Sequence, residues 1–241
     1  RHDQSDRLRQ IIQRRRQEFE AVFLVTDSIF SMDGIPAPLE LLCDLADEWD
    51  LTLIVDEAHG TGVFGETGAG LCEATGLSQR VDLRIGTLSK AFGLIGGFAA
   101  GDRLVCDQLW NTARSQFFST SLPPAICAAA IESLRIIRED HARRAHLHHL
   151  CRHLRALLAE HGLPTIAGSE GPIVPVLVGD DAKAVDLSQQ LEQDGFLVPA
   201  VRPPTVPAGT ARLRISLCSQ HQEEQLEQLV NRFAVRMRDF V

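Results

Sequence analysis

Two charged residues, Asp56 and Lys90, each close an apolar run and stand 34 residues apart. The runs read LTLIVD and VDLRIGTLSK, and apolar runs that end in polar residues and glycine are typical of buried strands that end at a loop. In open α/β sheets the ligand site lies just outside the carboxyl ends of the strands. An acid and an amine at such an edge suit pyridoxal phosphate, because the amine can form a Schiff base with its aldehyde and the acid can hold its ring nitrogen protonated.

The residues around this pair favour the same chemistry. Thr87 and Ser89 precede the lysine and offer hydroxyl groups of the kind that bind phosphate. His59 follows Asp56 by three residues and is placed to stack on, or hydrogen-bond, an aromatic cofactor. Two plainer interpretations stay open at this point: Asp56 as the N-cap of a following helix, and His59 as a structural histidine.

A second group of candidates lies near the end of the chain. Arg212 and Arg214 alternate in ARLRIS, so on a strand they share one face. One of them could bind a carboxylate through two parallel hydrogen bonds. The alternative is a pair of exposed arginines on an edge strand. Thr205 precedes them in the proline-rich loop RPPTVPAGT.

Composition excludes several classes of protein. The chain has 241 residues and a net charge of −8, so it has no overall basic field for nucleic acid. The six cysteines form no C-x-x-C pair, a pattern typical of reduced thiols in a cytoplasmic enzyme. No apolar run reaches membrane-spanning length, and no signal peptide opens the chain. The chain opens at Arg1 directly in a helical pattern, which indicates that an N-terminal part is missing.

The order of elements predicts an α/β fold with a parallel sheet covered by helices. Apolar periodicity predicts a helix over 5–20. The stretch 123–162 has no internal breaker and is predicted to be helical throughout, with a bend or as a bridge between two domains. A compact β-α-β-β-α unit follows. We therefore expect two domains, residues 1–145 and residues 146–241.

Six histidines between His141 and His161 raise the question of a metal site. His149 and His153 stand at i and i+4, a spacing that can bind zinc, but no H-E-x-x-H motif or matching carboxylate pattern accompanies them. We predict a solvated helix face and no metal. Walker, G-x-G-x-x-G and G-x-S-x-G motifs are also absent from the sequence.

Five motifs, taken together, resemble one known family. They read FSMDG-x-x-APL, VDEAHGTGVFGE-x-G-x-G, GTLSKAFG-x-x-GGF-x-AG, FSTSLPP and RPPTVPAGTARLRIS, and they occur in the family's order across nearly the whole chain. They resemble the α-oxoamine synthases, pyridoxal-phosphate enzymes that condense an amino acid with an acyl thioester and release carbon dioxide. The lysine motif and the last motif are most similar to the members that act in biotin synthesis.

The resemblance implies a fold and a set of roles. The fold is the PLP-transferase fold type I, like aspartate aminotransferase, here as the C-terminal part of the large parallel-sheet domain plus the small C-terminal α/β domain. The implied catalytic residues are Lys90, Asp56 and His59. The implied cofactor contacts are these three with Ser31, Thr87 and Thr120, the last towards the neighbouring subunit of a homodimer whose site lies at the interface. The implied substrate contacts are Thr205 on the acyl group and Arg214 on the amino-acid carboxylate.

The reaction implied by the resemblance joins L-alanine to a pimeloyl thioester of coenzyme A or of a carrier protein. Two alternatives stay open. The first is a related α-oxoamine synthase, such as a 2-amino-3-ketobutyrate coenzyme A ligase. The second is a non-catalytic fragment or partner subunit that supplies only packing and dimer contacts.

Overall fold

The computed structural model describes residues 4–238, which form two compact units. Within the described residues, the first unit holds 4–29 and 37–141, and the second holds 30–36 and 142–238. The short segment 30–36, which contains FSMDG, thus belongs with the C-terminal half of the chain.

The first unit contains a four-stranded sheet in the order β1-β2-β3-β4. Its strands are β1 Phe23–Asp27, β2 Thr52–Asp56, β3 Leu83–Thr87 and β4 Gly97–Gly101. The first three strands are parallel, and β4 is antiparallel to β3. The predicted parallel sheet therefore includes one antiparallel strand, β4. Only nine residues separate β3 from β4, too few for the crossover that a parallel neighbour requires.

Among the described residues, six α-helices belong to the same unit as this sheet. They are α1 Ser5–Arg15, α2 Leu39–Trp49, α3 Leu71–Ala74, α4 Arg103–Thr112, α5 Arg114–Phe117 and α6 Pro124–Glu139. The β1-α2-β2 connection is the crossover unit of a parallel sheet, and α2 buries one apolar face that includes Leu42 and Leu45. Helix α1 is shorter than the predicted 5–20, because a 3₁₀ turn replaces it over Arg16–Glu18.

The helical stretch predicted over 123–162 consists of two helices with one break between them. Helix α6 ends at Glu139, and α7 runs over His141–Glu160. Asp140 separates them with a ψ of 69°, outside the helical range. Aspartate competes with the helix for backbone hydrogen bonds, which makes it a common residue at such breaks.

The second unit combines an antiparallel three-stranded sheet with helices. Its remaining elements are β5 Ile173–Gly179, α8 Asp181–Gln193, β6 Ala200–Val201, β7 Ala211–Ser216 and α9 Glu223–Arg238. The sheet order is β5-β7-β6, so β7 is the central strand. The succession β-α-β-β-α agrees with the sequence pattern, and Val174, Val176 and Leu213 are fully buried in this sheet. Within residues 4–238, no helix is both long enough and apolar enough to cross a membrane.

Candidate active site

The carboxyl ends of β1, β2 and β3 bring acidic and hydroxyl side chains to one edge of the first sheet. Asp56 is the last residue of β2, and Thr87 is the last residue of β3. Lys90 follows three residues later in the bend between β3 and β4, and it is exposed. The edge is the place where open α/β sheets bind ligands. Asp56 and Lys90 therefore lie on adjoining elements of the same unit.

Asp56 is fixed by a local hydrogen bond. Its Oδ1 accepts a hydrogen bond of 2.7 Å from the backbone N–H of Ala58. Turns rather than a helix follow Asp56, so its interpretation as a helix N-cap is wrong. The bond is instead that of an aspartate turn, which orients the carboxylate at the end of the strand.

A second acid, Asp27, lies beside Asp56 and is not among the site residues that the sequence predicts. Asp27 ends β1 and pairs in register with Asp56. Burial, and then the negative charge of Asp56, raise the pKa of Asp27, whereas Lys90 acts in the opposite direction. Asp27 thus lies within electrostatic reach of both Asp56 and Lys90. Asp27 carries the same sequence signal as Asp56, an acid that closes an apolar run, here AVFLVTD.

His59 lies in a tight turn next to Asp56. The turn closes through a hydrogen bond of 2.9 Å from the N–H of Gly60 to the carbonyl of Glu57. A little further on, a Cβ built on Gly62 would come within 2.4 Å of the Cβ of Ala91. The loop that carries His59 is therefore packed against the residue that follows Lys90.

Two hydroxyl groups lie close together just before Lys90. The Oγ atoms of Thr87 and Ser89 are 2.7 Å apart, and the N–H of Ser89 donates to Thr87 Oγ1 over 3.1 Å. Thr120 lies on the exposed connection between α5 and α6, with a φ of 60°, and its hydroxyl donates to the carbonyl of Ser119. Among the described residues, no hydrogen bond joins Thr120 to Lys90. The role of Thr120 towards a neighbouring subunit stays a prediction.

The second unit holds Ser31, Thr205 and Arg214. Arg214 Nε donates to the carbonyl of Ser31 over 2.7 Å, and Nη1 donates to Ser216 Oγ over 2.8 Å. Burial lowers the pKa of Arg214, as expected for a partly desolvated cation. Thr205 is exposed, and its backbone N–H donates to the carbonyl of Arg202 over 3.1 Å.

The interpretation of Arg212 and Arg214 as an exposed edge pair is wrong. They lie on the central strand β7, and the Arg212 side chain is only 5% exposed. Arg212 Nη1 forms an ion pair with Asp33 of the FSMDG segment. Arg212 therefore has a structural partner inside the second unit, whereas Arg214 is held by neutral oxygen atoms.

The histidines of α7 pair with acids of α9. His149 Nε2 lies 2.7 Å from Glu223 Oε1, and the His149 and His153 rings stack with centroids 6.2 Å apart. No group of three or more histidine, cysteine or acidic side chains is arranged to hold a metal ion in the part of the chain that the structure describes. The face is partly solvated, with His149 51% exposed and His153 24% exposed.

Comparison with known proteins adds a family to this geometry. The family model described as aminotransferase class I and II matches residues 2–233. An 8-amino-7-oxononanoate synthase of Anaeromyxobacter dehalogenans is 47% identical over 204 residues, which cover 85% of this chain and 51% of that protein. One from Halorhodospira halophila is 46% identical over 226 residues, covering 92% and 56%. The chain spans about half the length of the curated relatives that it matches.

Solved structures agree in fold. A Sphingomonas wittichii serine palmitoyltransferase superposes with a TM-score of 0.89 at 35% identity, covering 95% of this chain and 58% of that one. A serine palmitoyltransferase from S. paucimobilis with bound PLP gives a TM-score of 0.88 at 31% identity, with coverages of 95% and 58%. An 8-amino-7-oxononanoate synthase from Francisella tularensis gives 0.80 at 26% identity, with coverages of 96% and 68%.

Proposed function

This chain belongs to the aminotransferase class I and II family, and from that membership we propose that it carries the active-site elements of a pyridoxal-phosphate-dependent acyltransferase. The resemblance to α-oxoamine synthases is confirmed by the 8-amino-7-oxononanoate synthases that match it. We propose that the complete protein joins L-alanine to a pimeloyl thioester and releases carbon dioxide and the free thiol. The product is 8-amino-7-oxononanoate. The observation that carries the proposal is the placement of Asp56, Thr87 and Lys90 at one strand edge.

The side chains at that edge fit the groups of pyridoxal phosphate. Lys90 supplies the amine for its aldehyde, and Asp56 supplies an anion for its ring N–H. The paired hydroxyls of Thr87 and Ser89 are hydrogen-bond donors for its phosphate. When bound, the cofactor supplies a cationic ring that draws electrons from the α-carbon of the amino acid.

The remaining steps belong to side chains of this chain. In the proposed scheme Lys90 Nζ takes the α-proton of the amino acid and later returns a proton to the product. The Asp56 carboxylate would stabilise the positive charge of the cofactor ring. His59 orients the cofactor from the neighbouring turn, and Arg214 binds the amino-acid carboxylate. Thr205 would contact the acyl chain.

The assembly and location are also proposals. Thr120 would contact a phosphate in the neighbouring subunit of a homodimer whose site lies at the interface. The scattered cysteines predict a cytoplasmic location. Division of the chain near residue 145, with separate cofactor and C-terminal domains, is proposed for the complete protein as well.

Borohydride reduction tests the cofactor site directly. The sequence contains two lysines, Lys90 and Lys183, and Lys183 is exposed on α8. Reduction of the complete protein with pyridoxal phosphate, followed by peptide mass mapping, should place the pyridoxyl group on Lys90. Lys183→Ala should keep the adduct, and Lys90→Ala should lose both adduct and turnover. An adduct on Lys183 alone would contradict the proposal.

A second candidate activity rests on the serine palmitoyltransferase structures, which superpose as well as any neighbour given above. Under this alternative the chemistry is the same and the substrates are serine and a long acyl thioester. A 2-amino-3-ketobutyrate coenzyme A ligase would use glycine. A panel of alanine, serine and glycine against short and long acyl thioesters separates the three, and alanine with pimeloyl thioester should give the highest kcat/KM.

A further inference from the structure

The acid next to Asp56 in the chain, Glu57, is buried, and the scheme above gives it no role. It is 2% exposed. Its Oε2 accepts a hydrogen bond of 3.0 Å from the N–H of Leu71, and its Oε1 accepts one of 2.7 Å from the N–H of Cys72. A buried carboxylate is costly unless donors satisfy it, so these two bonds are necessary partners. Burial, and then Glu57, raise the pKa of the Cys72 thiol.

Two glycines make room for the same carboxylate. A Cβ built on Gly60 would lie 1.9 Å from Glu57 Oε2, and one built on Gly70 would lie 2.5 Å from it. The two glycines open and close the loop 60–70. Both ends of this loop therefore approach Glu57 more closely than any side chain at those positions would allow.

The main chain of Glu57 is anchored as firmly as its side chain. Its N–H donates to the carbonyl of Ile85 on β3 over 2.7 Å. Its carbonyl accepts from the N–H groups of Gly60 and Thr61 over 2.9 Å and 2.8 Å. His59 lies inside the turn that these bonds close, and Asp56 directly precedes it. One residue thus connects β3, the turn and the start of α3.

We propose that Glu57 is a positioning residue, which holds the turn carrying Asp56 and His59 in place by binding the start of α3 through its buried carboxylate. The effect of Glu57 on the cofactor rests on the proposed function, whereas its role in holding the turn does not. If the carboxylate only stabilised the fold, its loss would lower stability without altering the surroundings of bound pyridoxal phosphate.

The test uses Glu57→Gln in the complete protein. Glutamine keeps the shape but presents an amide N–H₂ to one of two backbone donors, so it cannot accept from both. In the cofactor-free protein we expect faster amide hydrogen exchange over residues 58–61 and 71–72. With pyridoxal phosphate added, we expect the dissociation constant to rise about 10-fold, the scale of one lost charge-assisted hydrogen bond. The pH titration of the bound cofactor's absorbance band should shift as well.

Glu73→Gln is the matched control. Glu73 accepts hydrogen bonds from the N–H groups of Thr67 and Ala69 in the same loop, but it is close to the surface and not adjacent to Asp56. It should leave the absorbance titration unchanged. Gly60→Ala is a second way to disturb the same carboxylate if Glu57→Gln does not fold, and it should shift the titration in the same manner.

The hydrogen-exchange and absorbance measurements distinguish the positioning role of Glu57 from the proposed function. Faster exchange with an unchanged absorbance titration would overturn the positioning role. Unchanged exchange in both Glu57→Gln and Gly60→Ala would overturn the structural part. Failure of the unaltered protein to bind pyridoxal phosphate would instead contradict the proposed function, and the exchange data would still decide whether Glu57 holds the turn.

Discussion

Asp27 and Asp56 lie opposite each other at the ends of two neighbouring parallel strands, in register, with the backbone N–H of Ser28 donating to the carbonyl of Asp56 over 2.8 Å. Two carboxylates at this spacing disfavour simultaneous ionisation, and the raised pKa of Asp27 reflects that together with burial. Lys90 offsets part of the repulsion. The strand edge therefore concentrates negative charge where the proposed cofactor would bring a cation.

Asp27→Asn should stabilise the cofactor-free protein at neutral pH. The pKa of Asp27 is raised in the folded state. The stability that Asp27 contributes is therefore fully present below the ordinary aspartate pKa of about 4, and it is lost as the pH rises through the folded-state pKa. Asparagine cannot ionise, so the variant's advantage in unfolding midpoint should be larger at about pH 7 than at about pH 4. Thermal unfolding at both pH values measures this. A constant difference would contradict it.

Asp56→Asn should fold and bind pyridoxal phosphate but lose most of its rate. An asparagine oxygen can still accept the bond from Ala58, so the turn survives. The missing charge should lower kcat by about 10²-fold or more, the scale of losing a positioned electrostatic partner. Steady-state kinetics of the complete protein measure the loss. Asp102→Asn, at an exposed position before α4, is the control that should keep full activity. An unchanged kcat in Asp56→Asn would show that the charge of Asp56 does not contribute to the reaction.

The sequence predicts most of the strands, because each apolar run is closed by a polar residue that marks where the strand ends. Asp56 and Lys90 were found in this way, and Asp27 could have been. The direction of β4 and the position of the break at Asp140 are not predicted, since apolar periodicity carries no information on strand direction and a single aspartate is a weak breaker.

Contacts between residues that are far apart in the sequence cannot be predicted from local sequence patterns. Asp33 and Arg212 are separated by 179 positions, and no local pattern links them. Glu57 binds N–H groups 14 and 15 residues away, in a helix of four residues too short to predict from periodicity. Only the folded chain shows that Glu57 is buried and hydrogen-bonded and that Asp33 forms an ion pair with Arg212.

Arg212→Met should destabilise the second unit strongly. It removes the cation that forms an ion pair with Asp33, whose carboxylate is only 19% exposed. The expected loss is about 3–5 kcal/mol in the free energy of unfolding, measured by denaturant titration. Arg236→Met, which breaks the more exposed pair with Asp194, should cost less. Replacing Asp33 by leucine in the Arg212→Met background should recover much of the loss, and no recovery would argue against a buried charge as its cause.

Arg214→Lys should weaken binding of the amino-acid substrate while leaving the chemical step largely intact. Arginine is held through Nε and Nη1 by the carbonyl of Ser31 and the hydroxyl of Ser216, and a lysine cannot reproduce that planar arrangement. The KM for alanine should rise about 10- to 100-fold, the range for lost hydrogen bonds to a charged group, with a smaller change in kcat. Arg202→Lys, at an exposed position, is the matched control. An unchanged KM in Arg214→Lys would mean that another residue binds the carboxylate of the amino-acid substrate.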